Sequence, residues 1–190
     1  MSGRSSLLVV PVALFAALSL AACGGSSHHG IPAGAIVAVQ GKPITEAEVN
    51  HWLRVAAYSN AQGSVLEKHP EVPEPPEYTE CVHSLSELAR EQHNPVPATA
   101  KLRRACAEQH QTLRSRAISF LITTDWTFAE AERLGYSLSS SEIDAEYAKL
   151  KARDFPTPAA LAQLEATSRQ TKADLRLHAK LSLAQEKIQH

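Results

Sequence analysis

Apolar positions recur at helical spacing through most of the chain. Ile143, Tyr147 and Leu150 fall at i, i+4 and i+7, and Leu177, Leu181, Ala184 and Ile188 keep a similar interval over three turns. Each run begins at a helix-start signal. Ser139 stands three residues before Glu142, with Leu138 and Ile143 placed as a hydrophobic staple. Thr45 and Glu48 repeat the pattern, flanked by Ile44 and Val49, and Thr171 with Asp174 repeats it without the staple. Thr157-Pro158 offers a cap followed by proline at the first helical position. These four starts predict a mostly α-helical body.

The stretch from Leu113 to Leu134 differs. Ala117, Ile118, Phe120, Leu121, Ile122, Trp126, Phe128, Ala129 and Ala131 cover most of a helix circumference. That pattern predicts a buried central helix stopped by Gly135, with Trp126 in the core. Asp125 is the polar residue that stands out in it, suited to a hydrogen bond with another helix. Ahead of the first helix, Ile36 to Val39 reads as one short β-strand closed by Gly41, with no evident partner strand. From about residue 59 to 111 runs a proline-rich insert. Its HPEVPEPPEY segment must be extended, and Cys81 to Gln92 then predicts a short helix with Val82, Leu85, Leu88 and Ala89 on one side. Cys106 falls on the lead-in to the central helix.

The N-terminus carries a different signal. Arg4 is the only charge before Cys23, and Leu7 to Ala22 is an uncharged run about as long as a signal-peptide core. Leu20-Ala21-Ala22-Cys23 resembles a bacterial lipobox, in which a lipid joins the cysteine sulfur and the chain is cut just before it. The resemblance implies a signal peptide over 1–22, lipidation at Cys23, a flexible tether over 23–34 and a body over 35–190. It also implies a lipid-anchored position on the extracytoplasmic face of a bacterial membrane. An uncleaved anchor or an ordinary signal peptide is the alternative. Cleavage takes 22 residues from 190, leaving 168, enough for one domain with a sizeable core. It also takes one of 19 basic residues, leaving 18 against 20 acidic. That balance offers no basic face for nucleic acid.

With Cys23 acylated, Cys81 and Cys106 remain, and export favours their pairing as a disulfide; two free thiols are the alternative. Nine histidines invite a metal, but they form no HxxxH or HExxH pair and have no cysteine at ligand spacing. Neither a G-x-S-x-G turn nor a phosphate-cradling glycine loop is present. No metal, cofactor or catalytic residue is therefore assigned.

Two segments resemble the SurA/PrsA-type extracytoplasmic chaperones and foldases. AIVAVQGKPITEAEVNHWL is similar to the family's N-terminal strand, G-x-P-I-T turn and helix. LRSRAISFLITTDWTFAEAERLGYSLSSSEI and the sequence after it are similar to the family's long helix, its glycine stop and the two helices beyond. The match spans roughly 35–59 and 112–188; the two-cysteine insert departs from the pattern. The resemblance implies a helical bundle that holds unfolded exported polypeptides. Family members commonly continue into a parvulin-type prolyl isomerase domain, for which the residues up to His190 have no counterpart. The expectation is a binding protein and not an enzyme. A truncated or split isomerase and an adaptor lipoprotein with one specific partner are the alternatives. Trp52, Tyr58, Tyr78 and Tyr136 are the candidate client-binding side chains, and at each of them ordinary packing competes with binding.

Overall fold

A computed structural model describes residues 34–61 and 72–190, apart from the side chains of 60 and 61. The signal segment, Cys23 and all but the last tether residue lie outside the described residues, as does part of the insert. Among the described residues there are six helices and one two-stranded antiparallel hairpin. Strand β1 (Ala35–Val39) pairs with β2 (Lys42–Thr45), with Val39 opposite Lys42 and Val37 opposite Ile44. The expected lone strand thus has a partner, and the K-P-I-T stretch is strand as well as turn. Gln40 and Gly41 link the two, with φ of 49° and 82°. Positive φ at both residues suits a two-residue loop whose twist matches that of the strands. Pro43 concealed β2, because proline removes a ladder donor and is tolerated in a pair like this one only at an edge.

Helix α1 (Glu46–Ala61) follows directly. Glu48 N–H donates to Thr45 Oγ1 at 3.2 Å, and Thr45 N–H donates to Glu48 Oε2 at 2.8 Å, completing the expected capping box. Its staple residues Ile44 and Val49 are both fully buried. The other three starts also form. Ser139 caps α4 (Ser140–Asp154), Thr157 caps α5 (Pro158–Ser168) and Thr171 caps α6 (Lys172–Gln189).

The insert contributes α2 (Thr79–Glu91), joined through a Cys81–Cys106 disulfide to α3 (Thr99–Arg133). Cys106 therefore lies inside the central helix, which is 35 residues long. The buried face of α2 is set by Cys81 and Ser84, one turn apart, while Val82, Leu85, Leu88 and Ala89 are only partly covered. The disulfide fixes which side of the helix faces α3.

Helix α3 is central but not enclosed. Leu102, Cys106, Leu113, Ala117, Leu121 and Thr124 trace one buried stripe along it. Val49, Trp52, Leu53 and Val55 of α1 join Leu113, Ala117 and Leu121 in the main core, closed at one end by Val39 and Ile44. Trp126 breaks the expectation of burial, standing 65% exposed. A circumference of apolar residues does not bury a helix when its neighbours, α1, α2 and α6, cover only part of it. The stop at Gly135 is as expected. Tyr136 N–H reaches Ala131 O and Gly135 N–H reaches Glu132 O, a Schellman arrangement with Gly135 at φ 81°. Asp125 is buried and paired with Lys42 on the hairpin rather than bonded to another helix. Helix α6 packs against both α3 and α4, and its most buried residues are Leu175, Ala179 and Ala184.

Candidate functional site

An open cleft of about 810 Å³ lies beside α1. One wall is α1, where His51, Arg54 and Tyr58 fall at i, i+3 and i+7 and so share a face. The opposite wall is the proline segment leading into α2, with Val72, Pro75, Pro76 and Tyr78, which turns at 75–77 where the sequence predicted an extended stretch. Arg169 and Thr171, in the connection between α5 and α6, close one side.

Proline chemistry shapes the outer wall. Residues 72–74 carry no regular structure and Pro75 to Glu77 form a turn; Tyr78 N–H closes it by donating to Glu74 O at 2.9 Å. Pro73 is fully buried and anchors the segment. Tyr78 precedes α2 with φ 55°, and its ring lies 6.2 Å from that of His110 on α3. Glu77 is paired with Arg103 of α3 at 3.0 Å.

At the floor, His51 Nε2 lies 2.9 Å from Asp174 Oδ1. The other oxygen of Asp174 accepts from Thr171 N–H at 2.7 Å and from Thr171 Oγ1 at 2.8 Å. One carboxylate thus completes the α6 cap and ties that helix to α1. A turn further along α6, His178 packs edge-on to Trp52, with ring centroids 5.5 Å apart, and against Phe120 at 5.6 Å. Burial holds the His178 pKa below its ordinary value, partly offset by the Asp174 charge. A smaller hollow of about 230 Å³ is lined in part by Trp52, Phe120, Gln170 and His178.

The four side chains expected to bind clients separate. Tyr58 and Tyr78 face the same cleft, from α1 and from the start of α2. Trp52 is buried among α1 and α3 core residues and offers the cleft nothing. Tyr136 sits exposed beyond the end of α3 and does not line the cleft. Sequence reasoning missed His51, Arg54 and Arg169. The helical spacing of 51, 54 and 58 was available as a signal, whereas nothing local marks Arg169, which meets the cleft only through the path of the α5–α6 connection. Arg169 has φ 59°, and its guanidinium lies 5.1 Å from the Tyr58 ring centroid, in cation–π range.

Among the described residues no group of three His, Cys, Asp or Glu could hold a metal ion, and no helix is long and apolar enough to cross a membrane. The chain is therefore placed by its architecture: a mostly helical protein with an N-terminal hairpin, a disulfide-tied insert and an open, mixed-polarity cleft. Comparison with known protein families, with curated proteins and with solved structures finds no match.

Proposed function

We propose that this protein is a lipid-anchored, extracytoplasmic chaperone-like protein that holds unfolded polypeptides in the cleft between α1 and the proline segment. Convergence carries the reading: Tyr58 and Tyr78, 20 residues apart in sequence and on separate elements, line one open cleft together with Pro75 and Pro76. Tyrosine and proline surfaces offer broad apolar contact at low conformational cost, while phenolic hydroxyls accept varied polar neighbours. An open groove with both properties suits extended chains of many sequences better than one compact substrate. The resemblance of the hairpin–α1 and α3–α6 segments to SurA/PrsA-type chaperones, and of Leu20 to Cys23 to a lipobox, supplies the rest.

The test uses full-length protein extracted from bacterial membranes. It is expected to slow aggregation of a chemically unfolded client without accelerating a proline-limited refolding reaction. Tyr58→Ala with Tyr78→Ala is expected to weaken the protection, and Tyr136→Ala to leave it intact. Acceleration of refolding, or full protection by the double variant, overturns the reading. Mass spectrometry of the same extract tests the anchor, which is rejected if residues 1–22 remain attached.

A further inference from the structure

The cleft separates charge by wall. His51 and Arg54 come from α1 and Arg169 from the α5–α6 connection, whereas Glu74, Glu77 and Glu80 come from the proline segment and the start of α2. Among the described lining residues, the α1 side holds no carboxylate and the α2 side no cation. Two of these six groups are engaged elsewhere, His51 by Asp174 and Glu77 by Arg103. The other four, Arg54, Arg169, Glu74 and Glu80, have no ion-pair partner among the described residues. Two guanidinium groups thus stand against two carboxylates, with no surplus of either sign. Arg169 is also held in place: its guanidinium lies over the Tyr58 ring, 5.1 Å from the centroid. A guanidinium stacked on an aromatic face keeps its in-plane donors available for a carboxylate.

An opening with one sign on each wall discriminates by the arrangement of charge and not by its sum. In an extended chain, successive side chains point to opposite sides. A segment in which acidic and basic residues alternate therefore presents its carboxylates on one edge and its basic groups on the other. Lying along the cleft, it meets opposite charge at both walls. A segment of a single sign meets like charge at one of them, which disfavours it.

We propose that the cleft selects extended polypeptide segments in which acidic and basic residues alternate, with Arg54 and Arg169 taking the carboxylates and Glu74 and Glu80 the basic groups. The proposal rests on the polypeptide-binding reading above and adds a client class to it.

Fluorescence anisotropy with full-length protein tests this. Two labelled unstructured peptides share one composition and zero net charge. In the first, Glu and Lys alternate; in the second they run Glu-Glu-Lys-Lys, so that each edge of the extended chain carries both signs. Peptides with Glu alone, Lys alone or Gln at the same positions complete the set. The alternating peptide is expected to bind about threefold more tightly than any of the others, the size that exposed ion pairs allow. The advantage should vanish towards about 1 M salt, where the Debye length is about 3 Å. Neutralising one wall should invert the preference. Arg54→Gln with Arg169→Asn should make the Lys peptide the tightest binder, asparagine being chosen because it tolerates the left-handed backbone at 169. Glu74→Gln with Glu80→Gln, both exposed positions, should favour the Glu peptide and carries the test if the arginine pair fails to fold. Equal binding of the alternating and Glu-Glu-Lys-Lys peptides at low salt, or tightest binding of a single-sign peptide by the unaltered protein, overturns the selection while leaving polypeptide binding in place. No binding by any peptide, together with no protection of an unfolded client, overturns both.

Discussion

His51 Nε2 and Asp174 Oδ1 meet at 2.9 Å across 123 residues of sequence and join the first helix to the last. Asp174 is 8% exposed and spends its second oxygen on the Thr171 cap. Removing either partner therefore has unequal consequences. Asp174→Ala loses the α6 capping box and the link to α1 and should cost about 2–3 kcal/mol, the sum of a cap and a hydrogen bond. His51→Ala loses only the link and should cost about 1 kcal/mol. Urea midpoints at fixed pH check the order; equal losses would mean that the cap is not formed.

One turn beyond, His178 gives stability a pH dependence of definite sign. Burial among Trp52 and Phe120 lowers its pKa from 6.5, so the unfolded chain binds a proton more readily than the folded one. Its contribution is complete above the unfolded value and is lost as pH falls through the folded value. Denaturant midpoints should therefore drop as pH is lowered from about 6.5. His178→Phe, which keeps an aromatic ring against Trp52, should flatten that part of the profile. An unchanged slope in this variant would place the titrating group elsewhere.

The Lys42–Asp125 pair ties the hairpin to α3, and its two members are buried unequally. The lysine side chain is 62% exposed, the aspartate 9%. Lys42→Met leaves a nearly buried carboxylate without its cation and should cost about 1–2 kcal/mol. Lys42→Met combined with Asp125→Asn removes the charge as well and should recover part of the loss. Thermal melts of the two variants, taken in low and high salt, separate the charge effect from lost packing. A double variant no more stable than Lys42→Met would deny the ion pair its role.

Local chemistry was legible and long-range coverage was not. Three helix starts could be read because a cap and its acidic partner are three residues apart and act through backbone groups within one turn, and a fourth because proline follows Thr157. The exposure of Trp126 could not, because it depends on which neighbours the chain brings to α3 rather than on Trp126 itself. Tyr58 and Tyr78 could be nominated as aromatic side chains, but the partnership of Arg169 with Tyr58 spans more than a hundred residues and leaves no local pattern. Strand β2 hid behind Pro43 for a similar reason: its evidence is a register with β1, a property of the pair.

The placement of the two tryptophans has a direct optical consequence. The chain holds only Trp52 and Trp126, one 8% and the other 65% exposed. Trp126→Phe should leave an emission that is blue-shifted and resistant to acrylamide. Trp52→Phe should leave one that is red-shifted and readily quenched. The second substitution also opens space beside Phe120, whose ring centroid lies 4.3 Å from that of Trp52. It should lower stability by about 1–3 kcal/mol, whereas Trp126→Phe should be close to neutral. Similar quenching of the two single-tryptophan proteins would contradict the arrangement of α1 on α3.

The Cys81–Cys106 disulfide is the covalent tie between α2 and the rest of the described fold, and the proline wall of the cleft runs straight into α2. Its sequence separation is 25, so closure of that loop restricts the unfolded chain by about 3.5 kcal/mol in the entropic account. Both cysteines are buried, Cys106 completely. Cys81→Ala with Cys106→Ala should therefore lower stability by about 2–4 kcal/mol. The loss need not fall evenly over the molecule. Helix α2 packs on α3 and holds the wall through Glu77–Arg103, an exposed pair worth little by itself. Without the disulfide, α2 and the proline wall should open at a lower free energy than the α1–α3 core. Hydrogen exchange of the double alanine variant should show protection falling first in 79–91, with the amides of 113–121 nearly unchanged. A uniform loss across both regions would make the disulfide a general stabiliser and leave the wall of the cleft dependent on packing alone.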